Sequence, residues 1–112
     1  MEYIQVCTTF EDPTSAQSVA SQLVESRQAA CAQLEGPITS VYRWEGKIES
    51  EQERRLMVKT RHSLFAKFAE TIAKLHKYDV PQIFATSLFD VLPAYSEWIN
   101  EALTDEGSKE ES

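Results

Sequence analysis

Two cysteines and two histidines carry the thiol and imidazole donors of the 112-residue chain. Cys7 offers a thiolate, which suits Cu(I), Zn(II) and related soft ions, and His76 offers a neutral imidazole. Plainer readings stand beside these. Cys7 also suits packing as a small apolar side chain, and a charged His76 in a last helical turn would stabilise the helix dipole by about 0.3–1 kcal/mol. Cys31 lies between alanines and reads as packing, and His62 reads as a surface residue ahead of Ser63.

A second set, Trp44, Glu51, Lys59 and Tyr78, has the side-chain types to line an inter-subunit cleft around a small ligand. Lys59 would be its cationic contact and Trp44 its stacking wall. The same residues also suit an aromatic, ion-paired interface core. Glu49, Glu51 and Glu53 recur at every second position and so share one strand face. That face either gathers hard cations or is solvated and paired with Lys or Arg. No Ser-His-Asp spacing, glycine-rich phosphate loop or metal-hydrolase motif is present, and a Cys7–His76 pair would lack a third, orienting group. The chain is therefore not expected to be an enzyme.

The element that must position these residues is a long β-hairpin. Val41, Tyr42 and Trp44 precede Gly46, Ile48, Leu56 and Val58 follow it at even spacing, and the glycine supplies a tight turn. Arms from about Ala30 to Trp44 and from about Lys47 to Arg61 would each extend roughly 50 Å. A compact domain of this size has a radius of gyration of only roughly 13 Å, so the arms must overhang it. The acidic half of the second arm is the expected overhang, and a bend or bulge is expected at Gly36-Pro37.

Around the hairpin, residues 2–10 alternate as a strand with Cys7 on its more polar face. Asp12 caps a helix that starts at Pro13, buries Ala16, Val19, Ala20, Leu23 and Val24, and ends near Arg27. Ser63 caps a second helix with the stripe Phe65, Phe68, Ala69, Ile72 and Leu75, which stops near His76 ahead of Pro81. Residues 82–89 form a fourth strand, apolar enough to be central or well covered. Pro93 starts a short helix with Tyr95, Trp98, Ile99 and Ala102 on one side. The order predicts an α+β, ferredoxin-like βαββαβ subunit with a C-terminal helix, both main helices on one sheet face and the other face open.

Residues 1–104 form the expected single domain, and 105–112 read as a disordered acidic tail. The formal net charge is −7, of which the tail carries −3 through Asp105, Glu106, Glu110 and Glu111 against Lys109. That balance disfavours nucleic acid and anionic lipid and favours cations. With no apolar run of membrane length and too few cysteines for a disulfide framework, a cytoplasmic protein without membrane insertion is expected. The overhanging hairpin and the open sheet face leave surface for other copies of the same chain, which predicts a homotrimer.

The chain resembles the CutA-type divalent-cation-tolerance proteins. The matching stretches are Cys7-Thr8-Thr9, Ala29-Ala30-Cys31-Ala32, Tyr42-Arg43-Trp44-Glu45-Gly46-Lys47-Ile48-Glu49, Val58-Lys59-Thr60 and His76-Lys77-Tyr78-Asp79-Val80-Pro81, with Trp98-Ile99 near the end. The resemblance implies a ferredoxin-like subunit in a tight homotrimer, copper binding and a loosely defined role in metal tolerance without an established enzymatic activity. It points to Cys7 and His76 as metal ligands. Where some members have two adjacent histidines before Pro-Tyr, this chain has Leu75-His76-Lys77-Tyr78, so one chain would offer two soft ligands.

Overall fold

The computed structural model describes residues 2–104, so the acidic tail expected at 105–112 lies outside the described residues. The chain runs β1 (Tyr3–Phe10), α1 (Pro13–Glu25), β2 (Cys31–Trp44), β3 (Lys47–Arg61), a single 3-10 turn (His62–Leu64), α2 (Phe65–Leu75), β4 (Ile83–Ser87) and α3 (Pro93–Leu103). All strand pairs are antiparallel and the sheet order is β2-β3-β1-β4, the expected split-βαβ arrangement.

The hairpin forms as its alternation requires. β2 and β3 pair from Cys31–Lys59 to Trp44–Lys47, with one register shift between Glu35 and Ile38 where Gly36 and Pro37 interrupt the ladder. Glu45 at φ 49° and Gly46 at φ 80° make the two-residue turn, both in the left-handed region that a primed hairpin turn demands. β1 reaches only Arg54–Arg61 of β3, so Lys47–Glu53 continues beyond the sheet paired with β2 alone. The acidic half is thus the overhang, and the molecule measures 53 × 27 × 22 Å.

The helices cover one face. Asp12 caps α1, its Oδ1 accepting from the Ser15 N–H at 2.7 Å and its Oδ2 from the Ser15 hydroxyl at 3.0 Å. Ala16, Val19, Ala20 and Leu23 of α1 and Phe68 and Ile72 of α2 pack on Ile4, Val6, Phe10, Leu56 and Val58. Val24, expected in the buried stripe, is exposed. α1 stops before Arg27, which adopts φ 60° and donates from Nη1 to the Ala102 carbonyl at 3.0 Å.

Four further expectations change. Ser63 does not cap α2: it is consumed by the 3-10 turn, and Leu64 occupies the cap position without a side-chain bond. β4 is an edge strand with an exposed Phe84, because in one chain only β1 pairs with it. In α3 the buried pair is Ile99 and Leu103, while Tyr95 and Trp98 stack on each other at 5.7 Å and stay part-exposed. The second sheet face is not wholly open, since Tyr3, on the side away from α1 and α2, packs against the Ala30, Ile99 and Leu103 cluster.

Candidate cation-binding cleft

Directly paired residues of an antiparallel ladder share a face, so the register places Tyr42 beside Glu49, Ser40 beside Glu51 and Ile38 beside Glu53 on the overhang. The chain leaving α2, residues 77–80 with Gln82, rises opposite this surface. Together they enclose a cleft of about 750 Å³ whose lining includes Trp44, Tyr42, Glu49, Glu51, Glu53 and Tyr78. Glu53 is only 8% exposed, and its Oε2 accepts from the Tyr78 hydroxyl at 3.0 Å.

Four carboxylates, with Asp79 the fourth, line this cleft against the single ammonium of Lys77. The Lys77 Nζ lies 3.7 Å from Asp12 Oδ2. Among the described residues the other ion pairs are Arg55–Glu35, His62–Glu2 and Lys74–Glu70, and none reaches Glu49, Glu51 or Glu53. The face is solvated at Glu51 and in part at Glu49, without the expected Lys or Arg partners within ion-pair distance among the described residues. Arg43 and Arg54 fall at positions of opposite parity and belong to the other face, while Lys47 and Arg55 share the face of the glutamates, Arg55 pairing instead with Glu35 at 3.6 Å.

The phenols report the resulting field. Tyr78 is pushed above its ordinary value, first by burial and then by the Glu53 hydrogen bond and the charges of Glu53, Glu51 and Glu11. Tyr42 is also raised, by desolvation and then by its hydrogen bond to Glu51 and the neighbouring glutamates. Both shifts disfavour another negative charge in the cleft, and the same field favours a cation.

Of the expected cleft residues, Trp44, Glu51 and Tyr78 come together and Lys59 does not. Lys59 sits at the hairpin base beside Cys31 and Gln5, where Nζ donates to Gln33 Oε1 at 2.6 Å. Six residues along a strand separate it from Glu53 by roughly 20 Å. Tyr42 and Ser40, not assigned to the cleft from the sequence, share the parity of Trp44, so alternation could have found them. Asp79 and Gln82 lie outside any regular element and carry no such signal.

The soft donors are placed apart from that lining. Cys7 is 4% exposed in the ladder between Met57 and Phe84, with Gln82 Nε2 donating to Sγ at 3.7 Å. Burial pushes its thiol up, against the lowering by Gln82 and Arg55, so the proton is held rather than released. His76 caps α2 in an extended conformation and stacks on Phe10 at 4.5 Å and 15°. Its Nδ1 accepts from the Tyr78 N–H at 3.2 Å, which leaves Nε2–H to donate to the Thr9 carbonyl. Copper would have to displace the thiol proton and one of these ring contacts. Among the described residues no three His, Cys, Asp or Glu side chains converge to hold a metal ion, so one chain does not assemble a complete copper site.

Comparison with known proteins follows the same lines. The family model described as CutA1 divalent ion tolerance protein matches residues 4–102. A divalent-cation tolerance protein CutA of Pyrococcus horikoshii is 42% identical over 98 residues, 88% of this chain and 95% of that one. The protein of the same description from Thermus thermophilus is 38% identical over 96 residues, 86% of this chain and 93% of that one. The crystal structure of CutA1 from Oryza sativa superposes with a TM-score of 0.90 at 30% identity, covering 94% of this chain and 96% of that one.

Proposed function

The chain belongs to the CutA1 divalent ion tolerance family, and from that premise we propose that it acts in divalent-cation tolerance as a cytoplasmic homotrimer that gathers metal cations, copper among them, at its acid-lined cleft. The observation that carries this reading is the unpaired row Glu49, Glu51 and Glu53, with Glu53 nearly buried. A carboxylate withdrawn from water and given no cationic side chain favours a cation brought from solution. Cys7 and His76 are copper donors by type. In this reading they ligate only where a neighbouring subunit supplies the remaining donors. No catalytic step is assigned.

No described helix is long and apolar enough to cross a membrane. The test is a calorimetric titration of the reduced, assembled protein with copper, Mg(II) and Ca(II), using wild type, Cys7→Ser, His76→Ala and Glu51→Gln. Loss of affinity in Glu51→Gln supports the cleft, and loss confined to Cys7→Ser and His76→Ala moves the metal to the soft pair. No binding in any titration overturns the reading.

A second reading, a small-ligand-sensing or structural module without physiological metal binding, draws support from the aromatic walls Trp44, Tyr42 and Tyr78 around the same cleft.

A further inference from the structure

We infer that His76 is a positioning residue, holding Tyr78 and with it the segment 77–80 against Glu53, and is not a copper ligand within its own chain. This deepens the reading of the cleft as a cation site by naming what fixes one of its walls, and the first arm of its test involves no cation.

That wall has little else to hold it. Residues 77–81 lie between α2 and β4, and among the described residues no backbone–backbone hydrogen bond ties them to the sheet. Lys77 reaches Asp12 at 3.7 Å, but both side chains are solvent-accessible, and surface pairs of this kind contribute little.

His76 supplies the attachment. Its ring stacks on Phe10 at 4.5 Å and 15°, and Phe10 is 3% exposed within the main core, so the imidazole is fixed to the rigid part of the subunit. Nδ1 accepts from the Tyr78 N–H at 3.2 Å, which sets the tautomer and leaves Nε2–H to donate to the Thr9 carbonyl. A side-chain acceptor for the N–H two residues on is the arrangement of an Asx turn, made here with histidine. The rings of His76 and Tyr78 also meet at 4.5 Å and 43°, and the Tyr78 hydroxyl then donates to Glu53 Oε2 at 3.0 Å. A continuous path therefore runs from Phe10 through His76 and Tyr78 to the most buried acid of the cleft.

The same contacts argue against ligation. Both ring nitrogens are engaged, so copper would have to break either the bond that orients Tyr78 or the one that fixes the ring. Cys7, the other expected donor, shares Tyr3's side of β1, whereas Phe10, on which His76 lies, packs toward the helices.

The experiment compares wild type with His76→Ala and His76→Asn in the assembled full chain. Both substitutions remove the ring and its stacking on Phe10, and only asparagine restores an acceptor for the Tyr78 N–H. A difference between the two variants thus reads the positioning bond and not the loss of core packing. In amide hydrogen exchange followed by NMR, Tyr78 is expected to exchange about three- to tenfold faster in His76→Ala and to regain most of its protection in His76→Asn. A second arm titrates Cu(II) calorimetrically into all three proteins. Affinity is expected to fall about tenfold in His76→Ala and to recover in His76→Asn, whose amide does not replace an imidazole donor. Tyr78 exchange that is equal in all three, or equally fast in both variants, overturns the positioning role. Protection restored by asparagine while copper affinity stays lost in both variants makes His76 a ligand and overturns that half of the inference. Absence of Cu(II) binding in wild type overturns the cation reading alone, and Tyr78 exchange still decides the positioning role.

Discussion

Thr8 is fully buried beside Leu56 and Ile83, and its hydroxyl has no partner among the described residues. An unsatisfied buried hydroxyl costs stability that an apolar group of the same shape does not. Thr8→Val is therefore expected to raise stability by about 1 kcal/mol, read as a higher denaturant midpoint at unchanged slope. A lower midpoint would show a hydrogen bond that the structure does not contain. Asp12 gives a pH-dependent expectation. Its bonds from the Ser15 N–H and hydroxyl, and the charge of Lys77, hold its carboxyl below the ordinary range. A depressed folded value means that the contribution is present above about pH 3.9 and lost as pH falls through the folded value. Asp12→Asn keeps a capping side chain but cannot titrate. The melting-temperature difference between wild type and Asp12→Asn should thus turn against wild type on acidification below about pH 4; a difference independent of pH refutes this. At this scale the sequence was partly legible. Asp12-Pro13 announced its cap, but nothing local told that the His76 ring would spend both nitrogens on Tyr78 and Thr9, because Thr9 is 67 residues away.

The hairpin turn shows how an element can be legible and still imperfectly built. Gly46 was readable as the turn residue, yet Glu45 also takes positive φ, where an asparagine would be at less cost. A Cβ at Gly46 would meet nothing within 4 Å, so any penalty there is purely backbone strain. Gly46→Ala is expected to destabilise by about 1–2 kcal/mol, and Glu45→Asn to stabilise by a few tenths, both measurable by chemical denaturation. Equal stability of Gly46→Ala and wild type would mean that the turn has another conformation in solution. The two strand arms and both main helices were readable from their periods of 2 and 3.6. β4 was misjudged because an apolar run reports what a strand is covered by, and here the cover is absent from the single chain. The site divides in the same way. Trp44 and Glu51 sit on regular strands whose parity can be counted, whereas Lys59 stands at the hairpin base, roughly 20 Å along β3 from Glu53, and would join them only across a subunit boundary.

At the scale of the whole molecule the unresolved demand is coverage. β2 and β4 each present an unpaired outer edge, and Phe84, Phe89 and Leu92 are 48%, 92% and 71% exposed. A row of free backbone donors and acceptors beside large apolar side chains invites pairing with another copy, and a closed ring removes such edges without leaving new ones. The overhang adds to the demand, since a two-stranded ribbon is marginal alone in water. Sedimentation equilibrium is accordingly expected to give three times the 12.7 kDa chain mass at micromolar concentration. If Phe89 anchors the contact, Phe89→Ser should weaken assembly by about 2 kcal/mol or more, seen as dissociation at concentrations where wild type stays whole. Phe89 lies outside every helix and strand and makes no part of either core cluster, so the substitution removes little from the folded subunit itself. A stable wild-type monomer would overturn the trimer. A wild-type trimer left intact by Phe89→Ser would move the contact to the hairpin, where Trp44 and Tyr42 would then have to serve as interface anchors and the cleft would lose its aromatic wall to a neighbour.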